Sequence, residues 1–202
     1  MGKQGGRGSP GPATRGLGRE RPWGLIVVVA LVVAVLGAFV VALVLDLRGG
    51  GSSAGGAPGG VEDVDVGQAG QHTEAVVEYG QSPPAGGEHN PVWQNSGYYD
   101  EPVRSETAVH TLEHGAVWII YQPDLPQEQK DAIKELVEGQ TCVLASPYEG
   151  LDAPVVASAW GKQLRLENAG SPDLEGFVRA YHQGPQTPEP GAACTGGTAD
   201  PA

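Results

Sequence analysis

The chain has 202 residues, with 12 Lys and Arg against 24 Asp and Glu, a formal net charge of −12, 32 Gly, 17 Pro and two Cys. That acidity excludes a nucleic-acid binder, which needs a basic face for phosphate, and the length excludes a large multidomain enzyme while leaving room for one modest domain with extensions. The charge is uneven: Lys3, Arg7, Arg15, Arg19 and Arg21 stand against Glu20 alone ahead of the first apolar run, so the acid belongs to the rest of the chain.

Residues 1–22 read as a basic cytoplasmic tail. Leu25 to Leu45 is 21 residues without a charge, enough for a helix of about 30 Å, and a transmembrane helix is expected over 23–47 with Trp23 at the inner interface. A cleaved signal peptide is the rival, but its apolar core spans about 7 to 15 residues and ends at small side chains. This one runs on to Asp46, Leu47 and Arg48. The basic residues before the span, with only Arg48 just after it, predict a single-pass membrane protein with a cytoplasmic N-terminus and an extracytoplasmic C-terminal domain.

Residues 48–74 are expected to be a flexible linker, because the GGGSSAGGAPGG run from Gly49 to Gly60 has no side chain that offsets the entropy of ordering the backbone. The exported part carries 22 acids against six bases, about −16, which repels it from anionic lipid. Cys142 and Cys194 lie on the oxidising side, where two cysteines pair, and a disulfide tying the tail to the domain is expected. Their spacing is not that of a C-x-x-C redox centre.

An α/β domain is predicted over 75–184. Ala75 to Tyr79 reads as a short strand, followed by an irregular stretch through Asp100. Ser105 to Gly115 reads as a helix with Ser105 as N-cap and Gly115 as stop. AVWIIYQ from Ala116 is a buried strand. Pro126 opens a helix to Glu138, with Ile133, Leu136 and Val137 as its apolar stripe and Gly139 as its end. TCVLAS from Thr141 and PVVASAW from Pro154 are strands, and Gly161 with Lys162 turns the latter into QLRLE. Ser171 caps a final helix in which Leu174, Phe177, Val178 and Tyr181 repeat at helical spacing. Residues 185–202 are a C-terminal tail. This order predicts a small mixed sheet with flanking helices, the first crossover parallel and the hairpin antiparallel. Thioredoxin-like topology is the nearest analogy, with Pro154 ahead of the penultimate strand, and no redox activity follows from it.

The one dense constellation is His110-Thr-Leu-Glu113-His114, with His89 upstream. On a helix, positions 110 and 114 share a face and Glu113 is adjacent, so two imidazoles could chelate one ion. H-x-x-E-H is also the inverted zincin spelling, but Gly115 and a buried strand follow at once, and no downstream acid is identifiable as third ligand. The alternative is that these side chains hydrogen-bond loop backbone and cap the strand entry. Ser82 and Ser146 lack His/Asp partners and read as turn residues. Tyr98, Tyr99, Trp93 and Trp160 read as core or as the floor of a ligand pocket. His72, in the linker, and His182, at a helix end, mark no site. No phosphate loop or dinucleotide fingerprint is present.

Several strings together resemble the bacterial membrane-protein family called domain of unknown function 3105: Pro83-Pro-Ala-Gly-Gly-Glu-His89, Gly97-Tyr-Tyr-Asp-Glu-Pro102, Val109-His-Thr-Leu-Glu-His-Gly115, Tyr121-Gln-Pro123, Ala159-Trp-Gly161 and Pro188-Glu-Pro190. Ala85 and Gly86 stand where the family has Thr and Ser, which puts a hydroxyl role there in doubt. The resemblance implies an anchored extracytoplasmic domain, supplies no activity, and places His89, His110, Glu113 and His114 at motif positions. The expectation is a zinc or copper site built from His89, His110 and His114 with Glu113. The rival is a non-catalytic cell-envelope module that binds another exported protein.

Overall fold

The computed structural model describes residues 56–202, with Val27 and residues 31–33 of the amino-terminal unit. Val27 and 31–33 are helical and exposed; the rest of the expected span, the basic tail and the first part of the linker lie outside the described residues. Among the described residues no helix is long and apolar enough to cross a membrane.

In chain order the elements are β1 (Glu62–Asp63), β2 (Gly97–Tyr98), α1 (Ser105–Glu113), β3 (Val117–Tyr121), α2 (Gln127–Val137), β4 (Val143–Pro147), β5 (Val155–Ala159), β6 (Lys162–Leu166) and α3 (Pro172–Tyr181). They form a six-stranded mixed sheet in the order β1-β6-β5-β3-β4-β2. β3 and β4 are parallel, as a helical crossover through α2 requires, while β3 with β5 and β5 with β6 are antiparallel. The expected mixed sheet with flanking helices is therefore present.

The sequence VWIIY of β3 is buried at every position because both faces of the sheet are covered. Val117, Ile119 and Tyr121 point to the side where Ile133 and Val137 of α2 and Leu174, Phe177 and Val178 of α3 complete one core. Trp118 and Ile120 point to the opposite side, against Ala108, Val109 and Leu112 of α1. The period of two in the strands thus sorts one sequence into two cores. α1 is buried almost throughout, from Glu106 to Glu113, which brings its polar residues into the interior.

Ser171 caps α3 as expected, its side chain accepting from the Asp173 N–H at 3.3 Å. Ser171→Ala is expected to lower stability by about 1 kcal/mol in denaturant melts, the usual cost of an N-cap oxygen. Gly115 stops α1 at φ +93°, and a Cβ there would lie 2.8 Å from Thr187, so only glycine fits.

Four expectations change. Ala75 to Tyr79 is not a strand: Val76 is 82 % exposed, and the Val77 N–H bonds the Glu106 carboxylate instead of a neighbouring strand. Ser105 is the first helical residue rather than the cap; Arg104 holds the cap position without a side-chain bond. The hairpin turn is Trp160-Gly161, one residue earlier than expected, because Ala159 pairs with Lys162. The segment taken as flexible linker contributes β1, which pairs with β6. The C-terminal tail is tied to the domain as expected: Ser96 N–H donates to Cys194 O at 2.8 Å, Glu189 N–H to Glu113 O at 3.1 Å and Ala202 N–H to Pro102 O at 2.7 Å. The expected Cys142–Cys194 disulfide fastens it across 52 residues of sequence.

Candidate metal centre

α1 brings His110 and Glu113 to neighbouring positions one turn apart. The loop from Gly86 to Asn95 wraps this helix and delivers His89. It is held by Asn90 N–H to Glu106 O at 3.2 Å, Gln94 N–H to Thr107 O at 3.0 Å, and the Thr111 hydroxyl to Gln94 O at 2.7 Å. Gly86 makes the bend at φ +147°, where a Cβ would sit 2.8 Å from that of Val66. A side chain at this position would collide with Val66, so this loop takes glycine here. His72 arrives from the opposite direction, on a segment that forms a short parallel bridge between His72 and His89.

One ligand atom from each of His72, His89, His110 and Glu113 falls in a group whose members lie within 4.8 Å of one another. Four such atoms fit inside a sphere of radius about 3 Å, so modest side-chain movement would bring all of them to the 2.0–2.2 Å of zinc–nitrogen and zinc–oxygen bonds. His89 and Glu113 have no exposed surface.

The hydrogen bonds determine which imidazole nitrogens are free. His89 Nδ1 lies 2.7 Å from Gly87 O, and His110 Nδ1 lies 2.6 Å from Asn90 O. A carbonyl only accepts, so both Nδ1 atoms carry the proton and, in a neutral ring, both Nε2 atoms offer a lone pair. Burial pushes the His110 imidazole down to about 4; the bond to Asn90 opposes this, and the neighbouring His114, His89 and His72 add to it. His110 therefore stays neutral well below neutral pH, the form that can bind metal.

His89 Nε2 faces Glu113 Oε2 at 3.0 Å, yet the contact is out of line for an N–H donor and both atoms lack a hydrogen-bond partner. The other carboxylate oxygen, Oε1, accepts the Gly70 N–H at 2.5 Å. Two buried polar atoms thus face one another without a hydrogen bond; in the neutral ring with its proton on Nδ1 both are acceptors, an arrangement that is costly unless a cation lies between them. The rings of His72, His89 and His110 pack with centroids 4.8 to 4.9 Å apart, and Trp160 meets the His89 ring edge-on at 5.9 Å. Together these groups could hold a metal ion.

Of the four residues the sequence nominated, His89, His110 and Glu113 come together. His114 does not join them: its Nδ1 donates to Ala193 O at 2.7 Å and its Nε2 faces Glu189 Oε2 at 3.6 Å, although its ring lies beside that of His110 at 4.6 Å. It follows the last turn of α1, at the C-cap, and points toward the docked tail. The fourth place is taken by His72, which the sequence reading set aside as a linker residue. Its only signal was number: four of the five histidines fall between residues 72 and 114. His182 donates to or accepts from no site residue; its Nε2 bonds Thr141 O at 2.7 Å. The alternative reading, in which the histidines bond loop backbone, also holds, because the Nδ1 bonds to Gly87 and Asn90 are what leave the Nε2 atoms free.

A family model described as protein of unknown function (DUF3105) matches residues 71–196. No curated protein and no solved structure matches the chain.

Proposed function

Since the chain belongs to the DUF3105 family, whose function is unknown, the site must carry the reading, and we propose that the protein is a membrane-anchored extracytoplasmic domain that binds one divalent transition metal through His72, His89, His110 and Glu113. The observation that supports it is the pair of fully buried polar atoms, His89 Nε2 and Glu113 Oε2, which face each other at 3.0 Å while neither has a hydrogen-bond partner. A metal resolves that conflict and uses the lone pairs that the Nδ1 bonds to backbone leave available. Imidazole and carboxylate donors suit zinc or copper(II), and with both cysteines in a disulfide the site has no thiolate to favour copper(I).

Membrane anchoring and export rest on the apolar run at 25–45 and the basic residues ahead of it. The disulfide accords with an oxidising compartment. The strand order β6-β5-β3-β4, with β4 parallel and β5 antiparallel to β3, supports a thioredoxin-like reading of the core, without the reactive cysteines of that chemistry.

The test is a titration of the purified, chelator-stripped full chain with Zn²⁺ and Cu²⁺. One equivalent is expected to bind. His89→Ala and His110→Ala should each weaken it by at least about 100-fold, since even partners outside the ligand shell are worth 10- to 100-fold. His182→Ala should leave it unchanged. Absence of stoichiometric uptake, or wild-type affinity in both site variants, would refute the metal reading and leave the envelope-interaction module in its place.

A further inference from the structure

The four ligands differ sharply in access. His89 and Glu113 are fully enclosed and His110 is 5 % exposed, whereas the side chain of His72 is 41 % exposed. His72 is also the only one of the four outside the packed α1 and its wrapping loop. It sits on a strap, Gly70 to Thr73, that is fastened by Gly70 N–H to Glu113 Oε1 at 2.5 Å, Thr73 N–H to His89 O at 2.7 Å and His89 N–H to Gln71 O at 2.9 Å. Each of these bonds ends on a ligand residue. Beyond the strap the chain is exposed at Glu74, Ala75 and Val76.

Resting on the metal reading above, we infer that the ion is cargo and that His72 is its exchange ligand: metal enters and leaves at this edge, where an incoming nitrogen, oxygen or sulfur donor displaces the imidazole. Structural zinc sites are closed by four enclosed ligands, and this one would keep three enclosed and one within reach of solvent. In the exchange the metal–Nε2 bond of His72 breaks as the bond to the incoming donor forms. The oxidation state of the metal does not change and the freed imidazole remains neutral. His89, His110 and Glu113 keep hold during that step, so the ion is never released to water. The surplus of acidic residues, about −16 over residues 56–202, raises the local concentration of divalent cations and favours loading.

The test uses the zinc-loaded full chain mixed with excess 4-(2-pyridylazo)resorcinol, with transfer followed by the absorbance of the zinc–dye complex. In the wild type the rate should rise with dye concentration, because the dye attacks before zinc leaves. His72→Ala should still bind one equivalent of zinc and should transfer it at least about tenfold faster. Transfer at the wild-type rate in His72→Ala, or loss of zinc as complete as in His89→Ala, would overturn the inference while leaving the metal site standing. Failure of the wild type to take up zinc would instead overturn both.

Discussion

Replacing both cysteines, Cys142→Ser with Cys194→Ser, is expected to lower the unfolding free energy by about 4 kcal/mol. The bond closes a loop of 52 residues, and the loss of chain entropy on cross-linking a loop of that length amounts to roughly that much. The loop contains α3 and the hairpin of β5 and β6, so untying it frees the unfolded chain over a third of the body. The native state loses order as well. Cys194 anchors the docked tail, whose backbone receives the His114 Nδ1 proton at Ala193 and gives the Glu189 N–H to Glu113 O. Guanidinium melts of the oxidised wild type and the double variant measure the first effect. Limited proteolysis measures the second, with cleavage expected between residues 185 and 202 in the variant alone. Coincident melts would show that the tail packing suffices without the bond.

Glu113→Gln should separate metal binding from stability, in opposite directions. The amide oxygen can still accept the Gly70 N–H, while its NH₂ replaces the carboxylate oxygen that faces His89 Nε2 at 3.0 Å. A donor then meets a lone pair where two acceptors stood opposed. Relief of buried unpaired acceptors, at about 1–3 kcal/mol each, should raise the stability of the metal-free protein by about 1 kcal/mol after the cost of small adjustments. Zinc affinity should fall by at least about 100-fold, about 2.7 kcal/mol, because a neutral amide is a poor ligand and leaves the charge of the ion uncompensated. Thermal melts with and without zinc read both quantities. A drop in metal-free stability would mean that a proton, on a His89 imidazolium, occupies the position assigned here to metal.

Most of the elements were legible because their signals are local. VWIIY could only be a buried strand, Leu174, Phe177 and Val178 repeat at helical spacing, and Gly115 and Gly139 end the helices they follow. The misreadings came where a partner distant in sequence decides. AVVEY has strand composition, yet no strand lies beside it and Val77 bonds a glutamate on α1. Glu62 and Asp63 look like linker and become a strand because β6 offers them an edge. The site divides in the same way. His110 and Glu113 were visible because a helix places them together. His89 was visible through the string around it. His72 has no regular spacing from any of them, and only the parallel bridge to His89 brings it in. His114 shares a face with His110, as helical spacing expects, but its Nδ1 is engaged by Ala193 O of the docked tail, a partner that only the tertiary fold supplies.

The pairing of β1 with β6 fixes where the first described stretch of the body begins to hold to the rest of it. The twelve residues from Glu62 to Thr73 are held at the sheet edge and over the metal centre by short backbone contacts and by Lys162 and Arg165 against Asp63 and Glu62. If they peeled away they would reach about 40 Å at full extension. An ion bound to His72 would lock the last of those contacts and hold the segment down. Metal occupancy would then decide whether this stretch stays packed on the body or opens to a protease, so that an empty domain is cut here sooner than a loaded one.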